Sequence, residues 1–476
     1  MSSIFDNKKN KEKCQKFTPI FMVDTMLDLA GYTKNLIGIR VLENSFGEGN
    51  ILKVIVKRYI DYCLEQNISA KEISDNLEKD IYGIELDKEL FIKCKEELDT
   101  MILSYELPTV KWNLYNTNAL EWKTDKQFDL IIGNPPYIAY KTVDEDSRNY
   151  IKSSFETCSI GKFDYCYAFI ELGINLLSKN GKLVQLVPSN IYKNVFAHKL
   201  RELLKKHIVT ILDYPSQKIF DGVLTSTSIF LYDCTYHKEY IKYKNETNKI
   251  ELRISKHALN GKWTFSNTIN EHNTTIKFGD VFNASVTIAT LLNEAFIVDT
   301  NKIIEKGIEA SIIKKTVSPR SLRLKREKCI IFPYRYKDNQ LERFNSDTFK
   351  NDFPKAASYL EEHREKLDKR NKDSSAQWFE YGRSQALTHL NQEKLLLSTV
   401  VTNKVELYKL DKETIPYSGI YITAKENSNF TLEDAKAILE STEFMDYVKE
   451  IGINVSGKSI RITCKDINNF RFKGGG

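Results

Sequence analysis

No stretch of the 476 residues reaches the roughly 20 consecutive apolar side chains that span a bilayer, so a membrane-embedded protein is not expected. The first sixteen residues are polar and lysine-rich and lack the apolar core of a secretory signal, which argues against export. The eight cysteines are scattered, with no close pair at zinc-ribbon spacing and no histidine cluster nearby. Neither a metal site nor a disulfide framework is expected, and the thiols read as reduced ones in a cytoplasmic protein. Charge of one sign is also scarce: 70 Lys and Arg against 64 Asp and Glu leave +6, too little by itself to assign a nucleic-acid partner. There is no internal repeat, and 41% hydrophobic with 28% charged residues excludes a wholly disordered or fibrous chain.

What remains is a globular protein long enough for two domains. Between about residues 36 and 235, short Ile-, Val- and Leu-rich runs (38–42, 81–84, 128–132, 182–187, 209–212 and 226–232) alternate with amphipathic stretches (21–30, 51–64, 86–98 and 165–177). That alternation predicts an α/β domain, a mostly parallel sheet with helices on both faces. The pattern dissolves into Lys, Tyr, Asn and Thr around residues 236–262, which read as a linker, and residues 263–473 read as an α+β domain.

The most informative stretch is a buried strand running into Asn134-Pro135-Pro136-Tyr137. Two prolines fix the main chain and hold the preceding residue extended, so Asn134 is presented rigidly at the C-terminal end of a strand, where open α/β sheets bind ligands. An aromatic amine is a poor nucleophile because its lone pair is delocalised into the ring. Acceptors on both amine hydrogens, the Asn134 side-chain oxygen and the Pro135 carbonyl, would favour in-line attack and stabilise charge developing on nitrogen. Tyr137 offers a ring for stacking. A bare strand-terminating turn is the alternative.

Upstream, Glu43-Asn44-Ser45-Phe46-Gly47-Glu48-Gly49 is a glycine turn between a strand and a helix, suited to close approach of a nucleotide-type cofactor, with Glu43 placed to accept from an ammonium group. Glu85-Leu86 ends the next strand, where an acid can bind ribose hydroxyls, although a solvated helix start is equally consistent. Asn118-Ala119 stands where an adenine-edge contact would arise and otherwise reads as a loop. Thr18-Pro19, before a helix, can offer a hydroxyl and helix-start N–H groups to a carboxylate, or be a plain helix start.

In this order the segments resemble the amino-group DNA methyltransferases of the gamma arrangement, found in type II restriction-modification systems. The likeness runs on through Phe169, Gly181-Lys182-Leu183-Val184, Val187-Pro188-Ser189-Asn190 and Ile219-Phe220-Asp221-Gly222. It implies a Rossmann-like, S-adenosylmethionine-dependent catalytic domain (1–235) with a C-terminal target recognition domain (263–473), methylating the N6 of a flipped-out adenine. Thr18, Pro19, Glu43, Ser45, Phe46, Gly47, Gly49, Glu85, Leu86, Asn118, Ala119, Asn134 and Pro136 would hold the cofactor, and Tyr137 and Phe220 would clasp the base. Two departures stand out. The turn usually begins Asp-Pro or Glu-Pro but reads Glu43-Asn44 here, and the adenine contact is usually Asp where this chain has Asn118.

In the second half, Phe332-Pro333-Tyr334, Phe353-Pro354, residues 378–385 and residues 456–459 look like the family's recognition region. Lys314, Lys315, Arg320 and Arg323, within a basic cluster running to Lys328, are candidates for DNA phosphates, and Arg335 and Arg383 for phosphates or guanine edges. The implied partner is double-stranded DNA, with a separate restriction endonuclease by resemblance alone. Only sixteen residues precede Phe17, so a fused nuclease is not expected. A monomer in a bacterial or archaeal cytoplasm is the simplest expectation. Protein-glutamine, RNA or cytosine-N4 methylation, and a catalytically dead specificity subunit, are the competing readings.

Overall fold

The apolar strands of the first half are buried on both sides, and their alternating residues go to opposite faces. In the computed structural model Leu42, Ile131 and Leu183 enter one core, while Val41, Leu130, Ile132 and Val184 enter the other. The described residues are 18–215, 226–265, 275–338, 340–426, 428–456 and 459–473. They divide into two compact units, Met1–Thr268 and Ile269–Gly476.

In the first unit, β1 (Val41–Glu43), β2 (Ile81–Glu85), β3 (Asn113–Asn116), β4 (Phe128–Gly133) and β5 (Leu177–Pro188) form a parallel set. With β6 (Ile208–Tyr214), β7 (Thr227–Asp233), β8 (Tyr240–Asn245) and β9 (Ile250–Ser255) the order is β3-β2-β1-β4-β5-β7-β6-β8-β9, with β7 antiparallel to both neighbours. Helices α1 (Ile20–Ala30), α2 (Asn50–Glu65), α3 (Ala70–Asp80) and α4 (Lys88–Ser104) cover one face, through residues such as Met22, Ile51, Leu77 and Leu98. After α5 (Glu145–Ser154), helices α6 (Cys166–Asn175) and α7 (His198–Lys205) cover the other through Ile170, Leu200 and Leu204.

The expected linker at 236–262 is corrected: it holds the β8–β9 hairpin, with β8 parallel to β6 (Thr210 opposite Lys242). Ile241, Tyr243 and Ile254 are buried, while intervening lysines and glutamates face outward. A half-solvated edge hairpin therefore has the composition of a linker but the two-residue period of a strand. The first unit continues beyond it, since Trp263 is fully buried and stacks on Tyr192 at 5.8 Å.

The second unit is α+β, as expected. One four-stranded sheet joins Phe282–Val286, Ile420–Ala424, Lys394–Leu397 and Leu407–Leu410, and another contains Ile313–Val317 and Lys328–Ile331. Helices Leu432–Leu439 and Thr442–Ile451 pack into the core beside the first of these sheets.

Candidate active site

A cavity at the C-terminal ends of β1, β2 and β4 gathers most of the site residues singled out in the sequence. Its wall includes Thr18, Glu43, Ser45, Phe46 and Gly47 from the N-terminal segments, Glu85, Leu86, Asn118 and Ala119 beyond β2 and β3, and Asn134, Pro135, Pro136 and Tyr137 beyond β4. Pro19 and Gly49 are not on that wall. Pro19 is the N-cap of α1, and its carbonyl accepts from the Met22 and Val23 amides. Gly49 has φ +77°, and a Cβ there would sit 2.2 Å from Cys94 Sγ, so the turn requires glycine for both backbone and space. Phe220 lies outside the described residues, as does the whole 219–222 segment.

Glu43 ends β1 with 1% exposure. Its carboxylate accepts from the Leu52 amide in the first turn of α2, and burial pushes its pKa well above the ordinary carboxylate range. Its Oε2 has no partner among the described residues. Glu85 is tied into the loops: its two oxygens accept from the amides of Gly47 and Asp87, each at 2.8 Å, which joins the glycine turn to the start of α4. Burial raises this carboxyl too. Asn118 is likewise engaged, its Oδ1 accepting from the Leu120 amide (3.1 Å) and its Nδ2 donating to Glu121 (2.7 Å).

At the end of β4, the Asn134 Nδ2 donates to Thr18 Oγ1 at 3.2 Å. The Tyr137 hydroxyl lies 2.6 Å from Asn134 Oδ1 and 2.9 Å from the Leu186 carbonyl, and its single hydrogen can serve one of them at a time. Burial pushes the Tyr137 pKa up, so the phenol keeps that hydrogen. Asn134 Oδ1 thus faces the Tyr137 hydroxyl, while its Nδ2 is held by Thr18. No donor from the described residues reaches the Pro135 carbonyl.

The wall also includes Asn44, Tyr165 and Phe169, to which the sequence reading gave no site role of their own. Tyr165 and Phe169 sit one turn apart at the start of α6, with ring centroids 5.6 Å apart, and Tyr165 is fastened to the Asn-Pro-Pro-Tyr loop through its amide on the Ile138 carbonyl (3.1 Å). Their signal was an aromatic pair at helical spacing, which reads equally well as core.

In the second unit the six cations proposed for DNA divide. Lys314 pairs with Glu413 (2.8 Å), Arg335 with Glu342 (2.6 Å) and Arg383 with Asp373 (2.8 Å). Lys315, Arg320 and Arg323 are exposed and form no ion pair among the described residues. The aromatic motifs are interior. Tyr381 is 1% exposed, its hydroxyl donating to the Ile331 carbonyl and its amide to the Tyr334 oxygen, both at 2.8 Å. Phe379 stacks flat on Phe349 at 4.0 Å, and Phe332 is buried. Of residues 378–385, only Ser384 and Gln385 are fully exposed. Gly457 and Lys458 of the closing motif lie outside the described residues.

This parallel sheet with its antiparallel β7, and a cavity over the ends of β1, β2 and β4, define an S-adenosylmethionine-dependent methyltransferase fold. Residues 29–220 match the Eco57I restriction-modification methylase family. The chain is 23% identical to the type II methyltransferase M.BstVI of Geobacillus stearothermophilus, over 96% of this chain and 89% of that one. It is also 23% identical to the type II restriction enzyme and methyltransferase RM.Eco57I of Escherichia coli, over 89% of this chain but 53% of that longer protein. The type IIL restriction-modification enzyme MmeI, solved in complex with DNA, shares the fold, with a TM-score of 0.61 at 12% identity over 94% of this chain and 65% of that one. The resemblance to type II restriction-modification methyltransferases read from the sequence therefore holds, and with it S-adenosylmethionine as the cofactor. The cavity fits such a group: Glu43 contributes a buried, unpartnered carboxyl oxygen, and Gly47, at φ +56°, has open space where a Cβ would stand. Among the described residues no helix is long and apolar enough to cross a membrane, and no group of three or more His, Cys, Asp or Glu is placed to hold a metal.

Proposed function

We propose that this protein is a site-specific DNA methyltransferase that modifies the N6 of adenine, acting as the modification enzyme of a restriction-modification system. The observation that carries the reading is that Asn134 and Pro135 stand on the wall of the same cavity as Glu43 and Glu85. Bound S-adenosylmethionine supplies an electrophilic methyl group on a sulfonium. The chain's own part is to hold the amine. Asn134 Oδ1 and the Pro135 carbonyl accept its two hydrogens, which localises the nitrogen lone pair and stabilises positive charge as it develops. Thr18 and Tyr137 brace the Asn134 carboxamide from either end, so these acceptors are oriented before substrate arrives.

An adenine within a duplex is out of reach, and extruding it costs a few kcal/mol of pairing and stacking. The Tyr137 ring offers a stacking surface worth roughly 1–3 kcal/mol, and Phe220 is the expected second face. Lys315, Arg320 and Arg323, which form no ion pair among the described residues, are available to phosphates, with the second unit as the target recognition domain.

The test is to express the chain in a host lacking adenine methylation and map modified bases by long-read sequencing. Methylated adenine at one recurrent sequence is expected, and cytosine-N4 methylation or an unmodified genome would overturn the assignment. Asn134→Ala should lower the turnover about 10²–10³-fold while leaving the melting temperature and cofactor binding nearly unchanged. Turnover near that of the wild type would defeat the mechanism.

A further inference from the structure

Asn44 stands where the family pattern places a proline, and the structure gives its side chain a partner at one end only. The residue is 1% exposed and lines the cavity. Its Nδ2 is 3.5 Å from the Phe169 carbonyl, whereas its Oδ1 is buried with no partner among the described residues. That oxygen lies 3.3 Å from where a Cβ on Gly133 would be, so it faces the main chain immediately before Asn134. Of the eleven buried side-chain nitrogen and oxygen atoms without a partner among the described residues, only Glu43 Oε2 and Asn44 Oδ1 belong to residues of the cavity wall, where a ligand can supply the hydrogen. Glu43 Oε2, on the preceding residue and the same wall, is in the same condition.

Two unpartnered acceptors, one of them a carboxyl oxygen, call for a ligand with several donors and a positive charge. An ammonium group meets that description, carrying three N–H bonds and no lone pair. Proline, with neither a side-chain acceptor nor an amide hydrogen, cannot take this part. We propose that Asn44 Oδ1 is a second hydrogen-bond acceptor for the α-ammonium of the bound cofactor, acting beside Glu43. The inference rests on the cofactor assignment above. It adds Asn44 to the residues expected to hold the cofactor.

The experiment is calorimetric and needs no turnover. S-adenosylhomocysteine, which carries the ammonium, and 5′-methylthioadenosine, which lacks the amino-acid end, are titrated into wild type and Asn44→Leu, a substitution of similar size without an acceptor. Loss of a hydrogen bond to a charged group should weaken S-adenosylhomocysteine by about tenfold or more and leave 5′-methylthioadenosine within about twofold. Equal weakening of both ligands would mean that Asn44 only shapes the turn, and unchanged affinity for both would mean that water satisfies the oxygen; either result overturns the proposal. A wild-type protein that binds neither nucleoside would overturn the cofactor assignment itself. Melting temperatures without ligand check the fold, and if Asn44→Leu does not fold, Asn44→Ala carries the same comparison.

Discussion

The cavity of the first unit and the aromatic heart of the second are both built from motifs that stand out in the sequence, yet they treat polar groups in opposite ways. Around the cavity, Glu43 Oε2 and Asn44 Oδ1 are buried and have no partner among the described residues. In the second unit the conspicuous residues are satisfied from within. The Arg370 guanidinium, 9% exposed, donates to the carbonyls of Leu367, Thr290, Trp378 and Glu380, while Glu380 pairs with Arg343. Polar atoms that remain unmet on a cavity wall leave room for a ligand's donors. A motif whose polar atoms are all engaged is a scaffold, and recognition then falls to the exposed residues it supports.

The sharpest way to break this contrast is Arg370→Met. It leaves up to four carbonyls without a donor and should destabilise the second unit by about 3 kcal/mol, measured by urea denaturation. A loss below about 1 kcal/mol would show that the scaffold reading is wrong. Tyr137→Phe tests the opposite side. Removing the hydroxyl that braces Asn134 should lower the turnover about tenfold, with S-adenosylhomocysteine affinity unchanged and the unfolding midpoint little altered. An effect confined to affinity would remove Tyr137 from the positioning role.

A third prediction follows from the burial of Glu43, which raises its pKa. The sign is set by that direction: the free protein binds a proton that the unfolded chain gives up at a lower pH, so unliganded stability falls as pH rises from the ordinary carboxylate range through the raised value. A cationic ligand favours the carboxylate. Cofactor binding should therefore release up to about one proton and weaken as pH falls, seen by calorimetry in two buffers of different ionisation enthalpy. Identical heats in both buffers would exclude an ammonium on Glu43. The smallest effect is expected at the surface, where Arg320→Ala and Arg323→Ala should each reduce the salt dependence of DNA binding by about one counterion. Arg335→Ala, with its guanidinium already on Glu342, should change it less.

Much of the first unit was legible because a parallel sheet buried on both faces demands unbroken apolar runs, and its ligand loops fall at strand ends. The exceptions have physical causes. Helix α3 exposes most of its length and buries only Ile73, Ser74, Leu77 and Asp80, so its apolar stripe is thin. β3 is a part-exposed edge strand, Asn-Leu-Tyr-Asn, with little apolar signal. Asn44 and Asn118 were visible as departures, but sequence alone could not tell that one would be left with a bare oxygen and the other consumed by its own loop. In the second unit the aromatic motifs were found and their location was not: burial of Phe379 against Phe349 joins residues thirty positions apart, which no local pattern reports.

The β8–β9 hairpin also decides where this protein can be divided. A fragment ended at residue 235 would strip β6 of one of its two neighbours, β8, and leave an open sheet edge, a template for association with other chains. It would also take Trp263 away from Tyr192 and lose the stacked pair of Tyr243 and Phe265 altogether. An isolated catalytic fragment that keeps residues through 265 retains both, and limited proteolysis of the whole chain should spare the hairpin.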